Sequence, residues 1–250
     1  MLSVRGLSKR FYGHEVLADI NLTIQPGEVV GLIGRSGAGK STIARCLVGL
    51  ETPNAGTIQL NGDSITPGTG QARREIQYLW QDPTQSLSPF LSALGTVSET
   101  LNGFDIGIPA NRQARACEIL NELGVASDLQ QRRPHSLSGG QCQRIALARA
   151  LAAEPKILIL DEPLSSLDLT TQVNTIRLLR RVHKETSVSM LIVSHDLAPL
   201  RQLADRILVL DDARIVEDIP MAEFANQATH QLSRASVSYT HLTLPTIYPV

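Results

Sequence analysis

The segment from residue 28 to residue 50, EVVGLIGRSGAGKSTIARCLVGL, constrains the fold more than any other part of this 250-residue chain. It reads as a buried strand, a glycine-rich loop and then a helix. In that order, the pattern GxxxxGK[ST] is typical of a loop whose backbone N–H groups and following helix N-terminus hold phosphates. A tight turn with a chance lysine does not account for the agreement of all three parts. The segment predicts a nucleotide site but does not name the reaction.

Each residue type in the loop suits phosphate binding. Gly34, Gly37 and Gly39 let the backbone curl with its N–H groups inward. Lys40 is expected to bridge the β- and γ-phosphates, and Ser41 to ligate Mg²⁺. The residues predicted to surround the nucleotide here are Gly34, Arg35, Ser36, Gly37, Ala38, Gly39, Lys40, Ser41 and Thr42.

Short apolar runs at 28–34, 156–162, 189–196 and 206–212 are typical of strands buried on both faces of a parallel sheet. Helical patterns, including 41–50 and 171–185, lie between them. The alternation predicts βαβ units and a doubly wound α/β core. The run TIQLNGDSI, with Asn-Gly at its turn, predicts a hairpin and hence an antiparallel flap on that core.

The middle of the chain, about 87–151, has no strong strand run, and a helix is expected between Pro109 and Gly124. We therefore predict a helical subdomain inserted into a core made of about 1–86 and 152–225. Residues 1–232 are predicted to form one domain. The composition changes abruptly from about Ser233, where no helical or strand period continues, so 233–250 is interpreted as a tail that is either non-native or disordered.

Two carboxylates, Asp161 and Glu162, follow the apolar run KILIL. Asp161 ends a strand, so it is expected at the carboxyl edge of the sheet, where it can hold Mg²⁺ directly or through water. Glu162 can then polarise a water for in-line attack on the γ-phosphate. A helix N-cap role for Asp161 and a solvated loop position for Glu162 are the alternatives.

Two further polar residues are candidates for the same edge. His195 follows the buried run SMLIVS and can contact the γ-phosphate, although a cap or core hydrogen bond is an equal alternative. Gln81 follows the alternating QYLWQ, and its amide can reach Mg²⁺ or the attacking water. Taken alone, Gln81 reads as a surface glutamine.

A second glycine-rich helix start, SLSGGQCQRIALARALAAEP, spans residues 136–155. Ser138 reads as a helix N-cap in a tight turn. One chain with one phosphate loop has no evident use for a second site of this kind.

Taken in order, the motifs resemble those of the nucleotide-binding subunits of ATP-binding-cassette (ABC) transporters over about residues 3–218. GRSGAGKS resembles the Walker A loop, Gln81 the Q-loop glutamine, and LSGGQ the family signature. ILILDE resembles Walker B with its catalytic glutamate, SSLD the D-loop, and SHD the switch histidine loop. LSGGQ followed by QR, upstream of LILDEP, is highly specific.

The resemblance implies a P-loop NTPase (RecA-like) core with a mostly parallel sheet, an antiparallel β flap and an inserted helical subdomain. It implies an ATPase that uses ATP and Mg²⁺. The implied catalytic residues are Lys40, Gln81, Glu162 and His195, and the implied Mg²⁺ contacts are Ser41, Gln81 and Asp161. An aromatic before the first long strand stacks on adenine in this family. Phe11 is the best match, and Tyr12 is the alternative.

The resemblance also answers the question of the second helix start. Two such domains enclose two ATP molecules, and each signature faces the nucleotide held by the other subunit. The residues implied to act in trans are Leu137, Ser138, Gly139, Gly140, Gln141 and Asp168. The chain is therefore expected to need a second ABC ATPase subunit, identical or related, and to do little as a monomer.

WQDPTQSLSP is similar to the FQDP–SLNP segment of the ATPases of nickel and peptide importers. This implies permease subunits as partners, contacted through about 82–91 and the helical subdomain, and indirectly a substrate-binding protein. It implies a location at the cytoplasmic face of the membrane. Trp80, where Phe is common, and Cys142 are not expected to touch the chemistry. A soluble ABC ATPase, such as one for iron–sulfur assembly, is the alternative.

Charge and hydropathy exclude other classes. Lys and Arg number 23 against 24 Asp and Glu, so a nucleic-acid partner, which needs a clustered basic excess, is not expected. No apolar run approaches the ~18 residues of a membrane span. A P-loop kinase would have no use for LSGGQ or Glu162.

Overall fold

The computed structural model describes residues 1–165 and 167–242. Its strands are β1 (Leu2–Phe11), β2 (His14–Ile24), β3 (Val29–Gly34), β4 (Ala55–Leu60), β5 (Asp63–Ser64), β6 (Ile76–Leu79), β7 (Ile157–Asp161), β8 (Ser189–Ser194), β9 (Arg206–Asp211) and β10 (Arg214–Pro220). Six of them form the central sheet, in the order β10-β9-β3-β8-β7-β6. All neighbours in it are parallel except β9 and β10. The predicted doubly wound core is confirmed.

The helices are α1 (Lys40–Leu47), α2 (Gly70–Glu75), α3 (Ala93–Gly103), α4 (Arg112–Glu122), α5 (Gly139–Ala152), α6 (Leu169–Thr186), α7 (Leu197–Leu200), α8 (Phe224–Gln227) and α9 (Gln231–Leu242). α1 ends three residues before the apolar pattern does. The chain turns there because Gly49 has a left-handed backbone (φ +75°).

The parallel strands β3, β7, β8 and β9 are buried on both faces over most of their length, which explains the continuous apolar runs, whereas the edge strand β10 is largely exposed. Successive side chains alternate between two cores because a strand has a period of two. Val29 and Ile33 pack on one side with α3, α4, α5 and α6. Val30 and Leu32 pack on the other with α1 and the second sheet.

The second sheet has the order β2-β1-β4-β5 and is antiparallel throughout. Its β4–β5 hairpin turns at Asn61 and Gly62, both with positive φ, as the Asn-Gly signal predicts. The predicted antiparallel flap is confirmed, and it covers the α1 face of the central sheet.

Three helices, α3 to α5, lie between β6 and β7, in agreement with a helical insertion. The helix expected between Pro109 and Gly124 forms as α4, after a single 3₁₀ turn at Pro109–Asn111. Gly124 has φ +74° and ends that helix. The division of the chain into a core and a subdomain near residues 86 and 151 stays a prediction.

The expectation that no helix continues beyond Ser233 is wrong for residues 233–242, which belong to α9. A single carboxylate holds the start of this helix. Glu217 on β10 accepts hydrogen bonds from the Thr229 and His230 amides, each at 2.7 Å, and from the Ser233 hydroxyl. Ser233 is fully buried. Residues 243–250 lie outside the described part of the chain. The interpretation of 233–250 as a non-native segment stays a prediction.

These hydrogen bonds predict a pH dependence. They outweigh the opposing effect of burial and lower the pKa of Glu217 from about 4.5 to about 2. A lowered pKa stabilises the fold above the unfolded value, and this stabilisation disappears as the pH falls from about 4.5 towards 2. Glu217→Gln should therefore lower the free energy of unfolding by about 2 kcal/mol at pH 7.

Urea denaturation at pH 7, 5 and 3 measures this difference. The difference in free energy of unfolding between the unchanged chain and Glu217→Gln should be smallest at pH 3. A gap that stays constant over the three pH values would show that the charge of Glu217 does not anchor α9.

Candidate active site

Four of the sequence-predicted residues meet at one edge of the central sheet. β3, β8, β7 and β6 are neighbours and run parallel, so their carboxyl ends lie side by side. Gly34, His195, Asp161 and Gln81 lie at or just after these four ends. Ligands of open α/β sheets bind at this edge.

The glycine-rich loop joins β3 to α1, and Lys40 is the first residue of the helix. The Lys40 ammonium donates to the backbone carbonyls of Gly34 (2.9 Å) and Arg35 (3.0 Å). It is only 7% exposed. Burial lowers the pKa of Lys40, while the charges of Glu162 and Asp161 oppose that shift. The Lys40 ammonium thus lies inside the loop, where phosphate oxygens would compete with these two carbonyls for its hydrogen bonds.

Two glycines of the loop differ in what a side chain would meet. Both have left-handed backbones, with φ +80° at Gly37 and +105° at Gly39. A Cβ at Gly39 would lie 2.8 Å from the Val16 carbonyl oxygen, whereas one at Gly37 would meet nothing within 4 Å. Gly39 is therefore required by close packing as well as by backbone conformation.

Gly39→Ala should weaken ATP binding at least about tenfold, because the loop must move away from β2. Gly37→Ala is the matched control, which introduces only backbone strain of about 1–2 kcal/mol. Binding of a fluorescent ATP analogue and thermal unfolding of both variants measure the difference. Equal losses in the two variants would contradict the role of the Val16 contact.

Asp161 is 4% exposed, and each of its carboxylate oxygens accepts one hydrogen bond. The Ser41 hydroxyl donates to Oδ1 at 3.0 Å, and the Tyr78 hydroxyl donates to Oδ2 at 2.6 Å. The alternative of a helix N-cap is wrong for Asp161, since Asp168 caps the following helix, α6. Asp161 and Ser41 together present the oxygen ligands that Mg²⁺ prefers.

Tyr78 was not a candidate from the sequence, because its place depends on the order of the strands. It lies on β6 beside β7, and its side chain is 7% exposed. Burial raises the pKa of Tyr78, as do the hydrogen bond to Asp161 and the charge of that carboxylate. Tyr78 therefore keeps its proton and acts as a donor. A polar aromatic in the short run IQYL was the only signal in the sequence.

A cavity of about 570 Å³ opens beside this group, lined by Ser41, Tyr78, Trp80, Gln81 and Asp161 among others. The expectation that Trp80 does not touch the chemistry stays a prediction. Trp80 lines this cavity, and its ring centroid is 5.1 Å from that of Tyr78, edge to face. Cys142 is buried, with its Sγ 3.6 Å from the Pro134 carbonyl oxygen.

Glu162 and His195 are brought together. His195 Nδ1 lies 2.7 Å from Glu162 Oε2. The Glu162 side chain is 13% exposed and that of His195 59%. The solvated-loop alternative is therefore wrong for Glu162. Its backbone is left-handed (φ +48°), which is uncommon outside glycine and turns the chain sharply after β7.

Gln81 lines the same cavity, and its Nε2 lies 3.4 Å from the Ser165 hydroxyl oxygen. Phe11, at the end of β1, is half-buried, and the Lys9 ammonium lies 4.6 Å from its ring centroid. The Tyr12 side chain is fully exposed. The assignment of Phe11 to adenine stays a prediction.

The second glycine-rich helix start is confirmed as the N-terminus of α5, with a reciprocal capping box. Ser138 Oγ accepts from the Gln141 amide at 3.3 Å, and Gln141 Oε1 accepts from the Ser138 amide at 2.9 Å. Within the described residues, the amides of Gly139 and Gly140 donate to no other group of the chain. Their free N–H groups and the helix dipole suit an anion.

The loop after Glu162 is fixed at two points. Asp168 caps α6, accepting from the Thr171 amide (3.0 Å) and hydroxyl (2.6 Å), and these bonds lower its pKa. The buried Gln143 of α5 donates to the Pro163 carbonyl at 2.7 Å. Gln143 was also missed from the sequence, where it reads as one polar residue of a helix. Ser166, within SSLD, lies outside the described residues.

Comparison with known proteins agrees with this geometry. The ABC transporter family profile matches residues 17–165. A putative peptide import ATP-binding protein of Brucella ovis is 38% identical over 246 residues, covering 95% of this chain and 78% of that protein. The nickel import ATP-binding protein NikE of Escherichia coli O157:H7 is 38% identical over 237 residues, covering 92% and 88%.

Two solved structures extend the comparison. The ATP-binding cassette MJ0796, in a dimeric post-hydrolysis state bound to ADP and Pi, has a TM-score of 0.78 and 30% identity, covering 88% of this chain and 99% of that one. The protein cbiO1 of Clostridium perfringens, part of the ABC transporter complex cbiONQ, has a TM-score of 0.80 and 28% identity, covering 98% and 95%. The chain belongs to the ABC transporter family, as one of its ATP-binding cassettes.

Proposed function

We propose that this chain binds and hydrolyses ATP to energise a membrane importer of nickel, another metal ion or complex, or peptides. The contact of Ser41 with Asp161, beside the buried Lys40, carries the proposal, because it joins the phosphate loop to the carboxylate strand in one site. The names of the relatives in Brucella ovis and Escherichia coli support the importer class.

The loop residues bind the triphosphate. Backbone amides within residues 34–42 and the N-terminus of α1 take the phosphate oxygens, and Lys40 exchanges its two carbonyl partners for β- and γ-phosphate oxygens. Ser41, Asp161 and Gln81 would hold Mg²⁺, for which a hydroxyl, a carboxylate and an amide oxygen fit. When bound, Mg²⁺ neutralises charge on the phosphate oxygens. Phe11, or alternatively Tyr12, stacks on the adenine.

Glu162 takes a proton from the attacking water. His195 holds the carboxylate through its contact at Oε2, which leaves the other oxygen, Oε1, for the water. The exposed edge of the imidazole then faces the γ-phosphate. The division of labour between a base and the group that orients it is common in enzyme sites.

The site is completed by a second cassette, identical or related. The N-terminus of α5, with Leu137, Ser138, Gly139, Gly140 and Gln141, binds the γ-phosphate of the partner's ATP. Asp168 acts across the same interface. The dimeric state of MJ0796 supports this arrangement. It explains why the amides at Gly139 and Gly140 have no acceptor within the described part of their own chain.

The permease partner follows from the importer class, with a substrate-binding protein acting indirectly. In the described part of the chain, no helix is both long and apolar enough to cross a bilayer. We place the chain at the cytoplasmic face of the membrane, held by the permease. Phe90, in the segment predicted to meet the permease, is 80% exposed and supports a contact there.

Cross-linking in membranes of the source cell tests the proposal. A tagged chain with Phe90→Cys should form an adduct with an integral membrane protein, whereas Val216→Cys on β10 should not. In proteoliposomes of that complex, nickel or peptide should stimulate ATP hydrolysis. A chain that remains free of membranes and hydrolyses ATP at full rate would favour the soluble alternative instead.

A further inference from the structure

Tyr78 has no part in the motifs that identify this site, yet it touches one of the proposed metal ligands. Its hydroxyl lies 2.6 Å from Asp161 Oδ2, on the side of the carboxylate away from Ser41. Both partners are almost fully buried. A hydrogen bond between a buried donor and a buried carboxylate is short, strong and costly to remove.

The terminal torsion of an aspartate is soft, so the plane of a carboxylate is set mainly by its hydrogen bonds. Asp161 has two such bonds here, from Ser41 and from Tyr78. If Mg²⁺ takes the Ser41 oxygen as a ligand, that bond must rearrange. The bond from Tyr78 to Oδ2 would then still hold the Asp161 carboxylate in place, which would leave Oδ1 available to the metal.

The surroundings of Tyr78 hold the hydroxyl in place. Its ring packs edge to face on Trp80, with centroids 5.1 Å apart. The Arg45 side chain lies in the same cavity, and its positive charge acts on the Tyr78 hydroxyl. Tyr78 is therefore fixed by β6, by Trp80 and by Asp161 before any metal binds.

We infer that Tyr78 is a positioning residue for Mg²⁺, which orients the Asp161 carboxylate through the hydrogen bond to Oδ2. This inference rests on the proposed function, in which Asp161 holds the metal. Partners of this kind usually change metal affinity by about 10–100-fold when they are removed.

The chain carries its own probe for this effect. Trp80 is the single tryptophan of the sequence, and it lines the cavity that contains Ser41 and Asp161. Its fluorescence therefore reports events at this site without a label, and it is a readout separate from the rate of ATP hydrolysis.

The experiment uses the full chain, saturated with ATP in EDTA and then titrated with MgCl₂ while Trp80 fluorescence is recorded. In Tyr78→Phe, the concentration of free Mg²⁺ at the midpoint of the fluorescence change should rise about tenfold. The affinity for metal-free ATP should stay within about twofold of that of the unchanged chain. Tyr78→Met removes the same donor and should give the same shift. Thr100→Val is the control, because it deletes a hydroxyl that bonds only within α3.

Asp161→Asn separates the two possible failures. If Asp161→Asn responds to Mg²⁺ at the unchanged midpoint, the proposed metal site is wrong. If Asp161→Asn loses the response but a folded Tyr78→Phe or Tyr78→Met keeps the unchanged midpoint, or lowers it, the inference about Tyr78 is overturned and the metal site stands.

Discussion

Glu162→Gln should bind ATP about as tightly as the unchanged chain and hydrolyse it at least about a hundredfold more slowly. Glutamine has the size of glutamate but cannot accept a proton from water, and a general base contributes about 10²–10⁴ to the rate. The neighbouring Lys40, Ser41 and Asp161 are untouched, so the phosphates still bind. ATP should then accumulate between two cassettes and trap a dimer.

Phosphate release measures the rate, and size-exclusion chromatography with and without ATP measures the dimer. Glu185→Gln is the matched control, because Glu185 is exposed on α6 and has no ion pair among the described residues. It should hydrolyse ATP at the normal rate. If Glu162→Gln did so too, Glu162 would not be the base, and its contact with His195 would be structural.

Ser138→Arg should leave ATP affinity of the isolated chain unchanged and stop hydrolysis in the assembled pair. Ser138 is exposed, and its hydroxyl caps α5 rather than any group near Lys40. Loss of the cap costs about 1 kcal/mol, which the fold can sustain. The arginine side chain would stand before the free amides of Gly139 and Gly140, where the partner's γ-phosphate is proposed to bind.

The control is Ser136→Arg, two residues earlier, where the hydroxyl bonds only the Arg133 carbonyl. ATP binding is measured on the isolated chain and hydrolysis on the homodimer or the correct heterodimer. If Ser138→Arg weakened ATP binding of the single chain as strongly as it slowed the pair, the helix start would serve its own nucleotide. Full activity in the pair would exclude a shared site.

The residues at the carboxyl edge of the sheet could be predicted, because the pattern that identifies each of them lies within a few residues of it. A buried apolar run that ends in a polar residue predicts that residue at the carboxyl edge, and this holds for Asp161 and His195. The capping box of α5 is equally local, since Ser138 and Gln141 are three residues apart.

The parts that could not be predicted depend on which strands and helices become neighbours. Tyr78 reaches Asp161 only because β6 pairs with β7, across 83 residues of sequence. The contact of Glu162 with His195 spans 33 residues and was expected only as a shared edge. The start of α9 depends on Glu217, a carboxylate on β10, so no local pattern in the sequence predicted this helix.

The bonds from Lys40 to the carbonyls of Gly34 and Arg35 have a consequence for the energetics of nucleotide capture. The loop takes its curved shape when the chain folds, so its conformational entropy is lost at that stage. ATP then binds to a loop that already has its final shape. On binding, Lys40 exchanges the two backbone carbonyl oxygens for phosphate oxygens as hydrogen-bond acceptors. Such preorganisation favours fast association, with affinity differences between related nucleotides expressed mainly in how slowly they leave.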